Sequence, residues 1–163
     1  MGSDLDNDLT QIINKTALIE NVLSQVIINY SSPRKDAYGY FWDVLLDNSV
    51  MSLGAKVKAV MAISHETNIK VNKNSLHKIL EYRNAFAHHS LNDNPVFRVG
   101  IAENEGSMYY RLNILKSSGK VERINRLDVL EEFNKNYETA LKSLVNINDA
   151  VKEQVKNNEN TAT

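Results

Sequence analysis

Apolar residues recur at helical spacing in four stretches of this chain and alternate with polar ones in a fifth. From about Asp6 to Tyr30, Leu9, Ile12, Ile13, Thr16, Ile19, Leu23, Val26, Ile27 and Tyr30 fall on one side of a helix. Asp4, Asp6 and Asp8 suit the positive end of its dipole, and Ser31-Ser32-Pro33 stops it, since a residue before proline avoids helical geometry. An aromatic bend, Tyr38-Gly39-Tyr40-Phe41-Trp42, leads into a short helical stretch through Val44, Leu45 and Leu46. Ser52 is placed to cap a helix carrying Leu53, Val57, Val60 and Met61, with Ala55 and Ala59 beside them. A polar loop from His65 to Asn74 precedes a further helix, about Ser75 to His88.

The period then changes to two. Phe97, Val99 and Ile101 alternate with Arg98 and Gly100, and Tyr110, Leu112 and Ile114 alternate with Arg111 and Asn113. Val121 to Ile124 makes a third strand, reached through Ser117-Ser118-Gly119. Asn125 with Asp128 three residues on resembles a helix cap. A long stripe follows: Leu130, Phe133, Tyr137, Ala140, Leu141, Leu144, Ile147 and Val151. Lys156 to Thr163 lacks periodic apolar residues and is expected to be a frayed, disordered tail. These elements predict a mainly α fold: a single domain over 4–155, built as a helical bundle, with a small antiparallel β meander at about 96–124 inserted before the last long helix.

Composition narrows the chemistry. The 163 residues are 42% apolar and 24% charged, enough for one domain with a real core. With no cysteine, disulfides, thiolate metal sites and cysteine nucleophiles are excluded. No apolar run is long enough to span a membrane, and the N-terminus is polar and acidic, so the expected location is cytoplasmic. A net charge of −1 argues against a broad basic nucleic-acid surface and leaves room for a local one. There is no glycine-rich phosphate loop, and His65-Glu66 lacks a second histidine at metalloprotease spacing. Neighbouring His88 and His89 point to different sides of a helix, so no metal and no cofactor are expected.

The informative run is Glu81-Tyr82-Arg83-Asn84-Ala85-Phe86-Ala87-His88-His89. With Leu76 as zero, Leu80 falls at roughly 40°, Ile79 at 300°, Phe86 at 280° and Ala87 at 20° around the helix, which puts Arg83, at roughly 340°, in the middle of an apolar stripe. Such a local conflict marks a functional or special structural position. Asn84 and His88, four apart, share a neighbouring face. A guanidinium grips phosphate oxygens bidentately and an imidazole moves protons near neutral pH, so these are parts for cleaving a phosphodiester without a metal. A structural role competes. Arg83 also suits a buried ion pair with Glu81, Asp43 or Asp47, and histidines at a helix end suit its carbonyls. Trp42, Phe41, Tyr38 and Tyr40 read as a cluster capping the bundle or, less simply, as base-stacking groups. Lys56 and Lys58 read as a solvated face or as the edge of an RNA path.

The run Arg83-Asn84, three residues, then His88 resembles the HEPN family, helical nucleotide-binding domains of bacterial defence and toxin–antitoxin systems. That family carries arginine, four to six residues, then histidine, often with a polar residue after the arginine. Arg83, Asn84 and His88 match with four intervening residues, and His89, a secondary candidate, matches with five. The resemblance implies a homodimer with two motif copies across a cleft, and a metal-independent endoribonuclease in which the ribose 2′-hydroxyl attacks the adjacent phosphate. It implies His88 as general base or acid, Arg83 as stabiliser of phosphate charge, and Asn84 as orienting group. Some relatives are non-catalytic nucleotide-binding or protein-interaction modules. An antitoxin or other defence protein is a further implied partner. Two departures stand out. Ser90 occupies the position two after the histidine, where members modified by a partner nucleotidyltransferase have tyrosine, and the β meander exceeds the minimal bundle.

Overall fold

The computed structural model describes residues 2–88, 96–99, 106–109, 111–116 and 118–161. Two long helices frame it: α1 (Gly2–Ser31) and α5 (Arg126–Thr161). Between them lie a 3-10 turn (Lys35–Ala37), a three-residue helical turn α2 (Tyr38–Tyr40), a π-helical turn (Phe41–Leu45), α3 (Leu53–Thr67), α4 (Lys73–Ala87) and strands β1 (Val96–Val99), β2 (Gly106–Tyr109), β3 (Arg111–Leu115) and β4 (Val121–Asn125).

The ends of the helices follow from local chemistry. Ser32, at φ 42°, turns left-handed and donates its amide to the Ile28 carbonyl at 3.0 Å, and Pro33 prevents further helix. The Ser52 hydroxyl accepts from the Ala55 amide at 3.4 Å and opens α3. Asn68, at φ 56°, closes α3. The Asn72 side chain accepts from the Ser75 amide at 3.0 Å, so α4 begins at Lys73 and the loop expected from His65 is shorter than its polarity suggests. The Asn125 side chain accepts from the Leu127 amide at 3.0 Å and opens α5. That helix continues to Thr161, through residues expected to fray. The aromatic run read as a bend is itself helical, a short α turn passing into the π turn.

Three polar ties join the long helices: Arg126 to Asp8 at 2.9 Å, Lys15 to Asn134 at 2.7 Å, and Asn29 to Asn148 at 2.8 Å. The partners keep a nearly constant separation, 119 residues in the last two, so α1 and α5 run parallel. Lys15 also lies over the Tyr137 ring, 5.1 Å from its centre. Around these ties Ile12, Ile19, Leu23 and Val26 of α1 are buried with Phe133, Ala140, Leu144, Ile147 and Val151 of α5. Val57, Val60 and Ile63 of α3 and Leu76, Ile79, Tyr82 and Phe86 of α4 complete the core. At ~25 cal/mol per Å² of apolar surface removed from water, each such side chain stabilises the bundle by about 1.5–3 kcal/mol.

Among the described residues the β region holds four strands in two antiparallel pairs, where three strands in one meander were expected. Val96 to Val99 pair with Tyr109 to Gly106, and Arg111 to Leu115 pair with Asn125 to Val121. β2 escapes the pattern because Gly106-Ser107 carries no apolar alternation. In β3, Leu112 and Ile114 are fully buried, while Arg111, Asn113 and Leu115 are exposed, and the strand packs against α4. Gly119, at φ 80°, supplies the left-handed residue of the tight β3–β4 turn.

Candidate functional site

The site is built on α4. Its buried residues are Ser75, Leu76, Ile79, Tyr82, Ala85 and Phe86, an arc centred at roughly 270° on the wheel above. Tyr82 and Ser75 pull that arc away from Leu76, so Arg83 falls on its rim and not in its middle. Arg83 is exposed, and its Nη1 donates to the Asn84 side-chain oxygen at 3.2 Å. None of the three carboxylates proposed as buried partners holds it. Glu81 binds Lys116 at 3.2 Å, and Asp47 binds the Ser49 hydroxyl and amide. The Asp47 carboxyl is held below its usual range by those two Ser49 bonds.

Asn84 and His88 are exposed on the outer face of α4. The His88 amide closes the helix on the Asn84 carbonyl at 2.9 Å, so the imidazole leaves the backbone where α4 stops. His89 and Ser90 lie outside the described residues, as does Tyr110.

Two grooves flank this helix. The larger, of about 1120 Å³, runs between α4 and the β3–β4 hairpin, and Asn84 and His88 line it together with Asn74, His77, Asn113 and Lys116. The smaller, of about 600 Å³, lies between α4, α1 and the start of α3, and Arg83 lines it with Thr16, Ser52 and Gly54. Leu80 and Asn84 border both, so they form the ridge between them. The motif is therefore split. Arg83 serves one groove, His88 the other, and Asn84 bridges the two through its bond to Arg83.

Electrostatics differ on the two sides. The smaller groove opens on the N-terminal end of α3, whose first amides have no intrahelical acceptor and carry partial positive charge. In the larger groove, Lys116 is held by Glu81 at 3.2 Å and by Glu122 at 3.5 Å. Burial works against its charge, but Glu81, as acceptor and as countercharge, outweighs this and raises the Lys116 pKa. Among the described residues, no group of three or more histidines and carboxylates is placed to hold a metal ion, and no helix is long and apolar enough to cross a membrane.

Sequence reasoning missed one neighbour of the motif and misjudged one lysine. His77 shares its groove with Asn84 and His88, at seven and eleven residues' separation, a spacing that returns to one helix face. Lys56, paired in the reading with Lys58 as a solvated face, is 2% exposed and bound to Glu20. Comparison with protein-family models, curated proteins and solved structures gave no match.

Proposed function

We propose that this protein is a metal-independent endoribonuclease of the HEPN type, acting as a homodimer. Phosphate charge is held by Arg83 beside the N-terminal end of α3, and His88 transfers protons to or from the ribose 2′-hydroxyl or the leaving 5′-oxygen. The observation that carries this reading is the Arg83–Asn84 hydrogen bond on the ridge between two grooves, with His88 on the same helix end. The bond fixes the guanidinium without neutralising it, which keeps its charge for an anion.

Helix angles support the dimer. Arg83 and His88 leave the helix axis roughly 140° apart, so one chain presents them to different grooves. A second copy, with its α4 across the ridge, supplies the histidine that complements the first copy's arginine. Attack of the 2′-oxygen on phosphorus breaks the bond to the 5′-oxygen, leaving a cyclic phosphate and a 5′-hydroxyl. An antitoxin or other defence protein as partner belongs to the same proposal.

Incubating the purified protein with labelled RNA in excess chelator tests it, beside an Arg83→Ala/His88→Ala control. Cleavage with 2′,3′-cyclic phosphate ends is expected. His88→Ala alone is expected to cost roughly 100- to 10,000-fold through lost proton transfer, and Arg83→Ala about 100-fold or more through lost charge stabilisation. Cleavage equal in the wild type and the double variant overturns the proposal. Binding of nucleotides without cleavage places the chain among the non-catalytic modules instead.

A further inference from the structure

The larger groove extends well past the motif. His77 and His88 lie eleven residues apart on α4, about 16 Å along the helix axis at 1.5 Å per residue. That distance spans about five nucleotides stacked at 3.4 Å. The groove volume, about 1120 Å³, is above the roughly 300–1,000 Å³ of small-molecule sites. It has room for more than the two sugars at a cleaved bond.

Its lining decides what part of a nucleic acid fits. The two lysines along it differ. Lys116 sits between Glu81 and Glu122, whereas Lys78 donates to the uncharged Tyr82 hydroxyl at 3.3 Å, lies 5.3 Å from that ring's centre and keeps its charge. One such ammonium holds a single phosphate, and a track for successive backbone phosphates needs a row of them. What the groove offers is amide and carbon. Asn74 and Asn84 on one wall and Asn113 on the other each carry a donor and an acceptor on one group, the pattern that pairs with base edges. Leu80 and Leu115 present apolar surface suited to base faces, and Leu115 is 66% exposed although it borders the groove. The Lys116–Glu81 bond pins the hairpin wall to α4, so the groove exists before any ligand enters.

We propose that the groove between α4 and the β3–β4 hairpin is a base-reading subsite for unpaired nucleotides flanking the cleaved bond. Asn113 and Asn74 hydrogen-bond base edges, and His77 contacts a base at the end remote from His88. These three are specificity-determining residues, and their placement rests on the ribonuclease reading above.

Binding in the cleavage-dead His88→Ala protein tests the subsite apart from catalysis. The probes are fluorescent tetranucleotides of a single base, one for each of the four bases, and an abasic strand of the same length. At least one base is expected to bind tenfold tighter than the abasic strand. Adding His77→Ala or Asn113→Ala is expected to reduce that preference below threefold and to leave abasic binding unchanged. Leu115→Asp, at an exposed strand position, is expected to weaken all base-bearing probes by tenfold or more, and melting curves check that each variant is folded. Abasic binding equal to the best base, no binding by any probe, or a preference that survives all three substitutions overturns the proposal. A base preference in a protein that never cleaves RNA removes the ribonuclease reading and leaves the subsite. Cleavage without base preference does the reverse.

Discussion

Lys56 and Arg83 are both cations on helices that pack against α1, and their situations are opposite. Lys56 is 2% exposed with Glu20 as its countercharge, whereas Arg83 is exposed and bound to an uncharged amide. The pattern of apolar residues assigns the two roles the other way round. A buried cation has its partner inside the fold and contributes to one arrangement of the helices. An exposed cation held by a neutral group is left charged at the surface. Burial therefore separates a charge held inside the fold from one left at its surface better than the helical wheel does.

The difference is open to measurement. Lys56→Ala leaves Glu20 largely buried and unpaired, and should destabilise the fold by about 3 kcal/mol, the lower end for a broken buried pair. For a chain of this length that is a fall in melting temperature of roughly 6–12 °C. A change near zero would mean that water reaches Glu20 and that Lys56 is not structural. Lys116→Ala removes a half-sheltered tie between hairpin and α4, and a loss of about 1 kcal/mol is expected in chemical denaturation.

Acid should weaken the other contact of Lys116, the one to Glu122 within the hairpin. The Glu122 carboxyl is opposed by desolvation but drawn below its usual range by the Lys116 and Lys120 ammonium groups. A carboxyl with a lowered folded pKa stabilises the fold above its ordinary value and loses that contribution as pH falls through the lowered one. The melting temperature should therefore drop below about pH 4, where unperturbed glutamates protonate. Glu122→Gln should shrink the part of the drop that comes from the hairpin. The smallest effect on stability belongs to Arg83→Ala, within about 0.5 kcal/mol, as for surface positions without special contacts. Destabilisation by Arg83→Ala equal to that of Lys56→Ala would erase the contrast between them.

The helices were legible because each buries one face: of the last stripe, Phe133, Ala140, Leu144, Ile147 and Val151 are buried, with Tyr137 and Leu141 partly buried at its edge. Caps at Ser52 and Asn125 were legible because their side chains act locally. Lys56 was not, because its burial depends on Glu20, which lies 36 residues away on another helix. Arg83 was misplaced on the wheel because Tyr82, left out of the stripe, is 3% exposed and turns the buried arc toward itself. The aromatic run divides as neither reading required: Phe41 and Trp42 pack against the core, and Tyr38 and Tyr40 are half exposed. His77 was legible and was passed over: its spacing of seven and eleven residues from Asn84 and His88 returns it to their face of α4.

The parallel course of α1 and α5 makes length itself a conserved quantity of this architecture. Fourteen residues separate Lys15 from Asn29, and fourteen separate Asn134 from Asn148, so the two helices read like matched rulers with coincident marks. Deleting one residue from either interval turns everything beyond it by about 100° and shifts it by about 1.5 Å. The two asparagines then miss each other, and the stripe that met the core faces water.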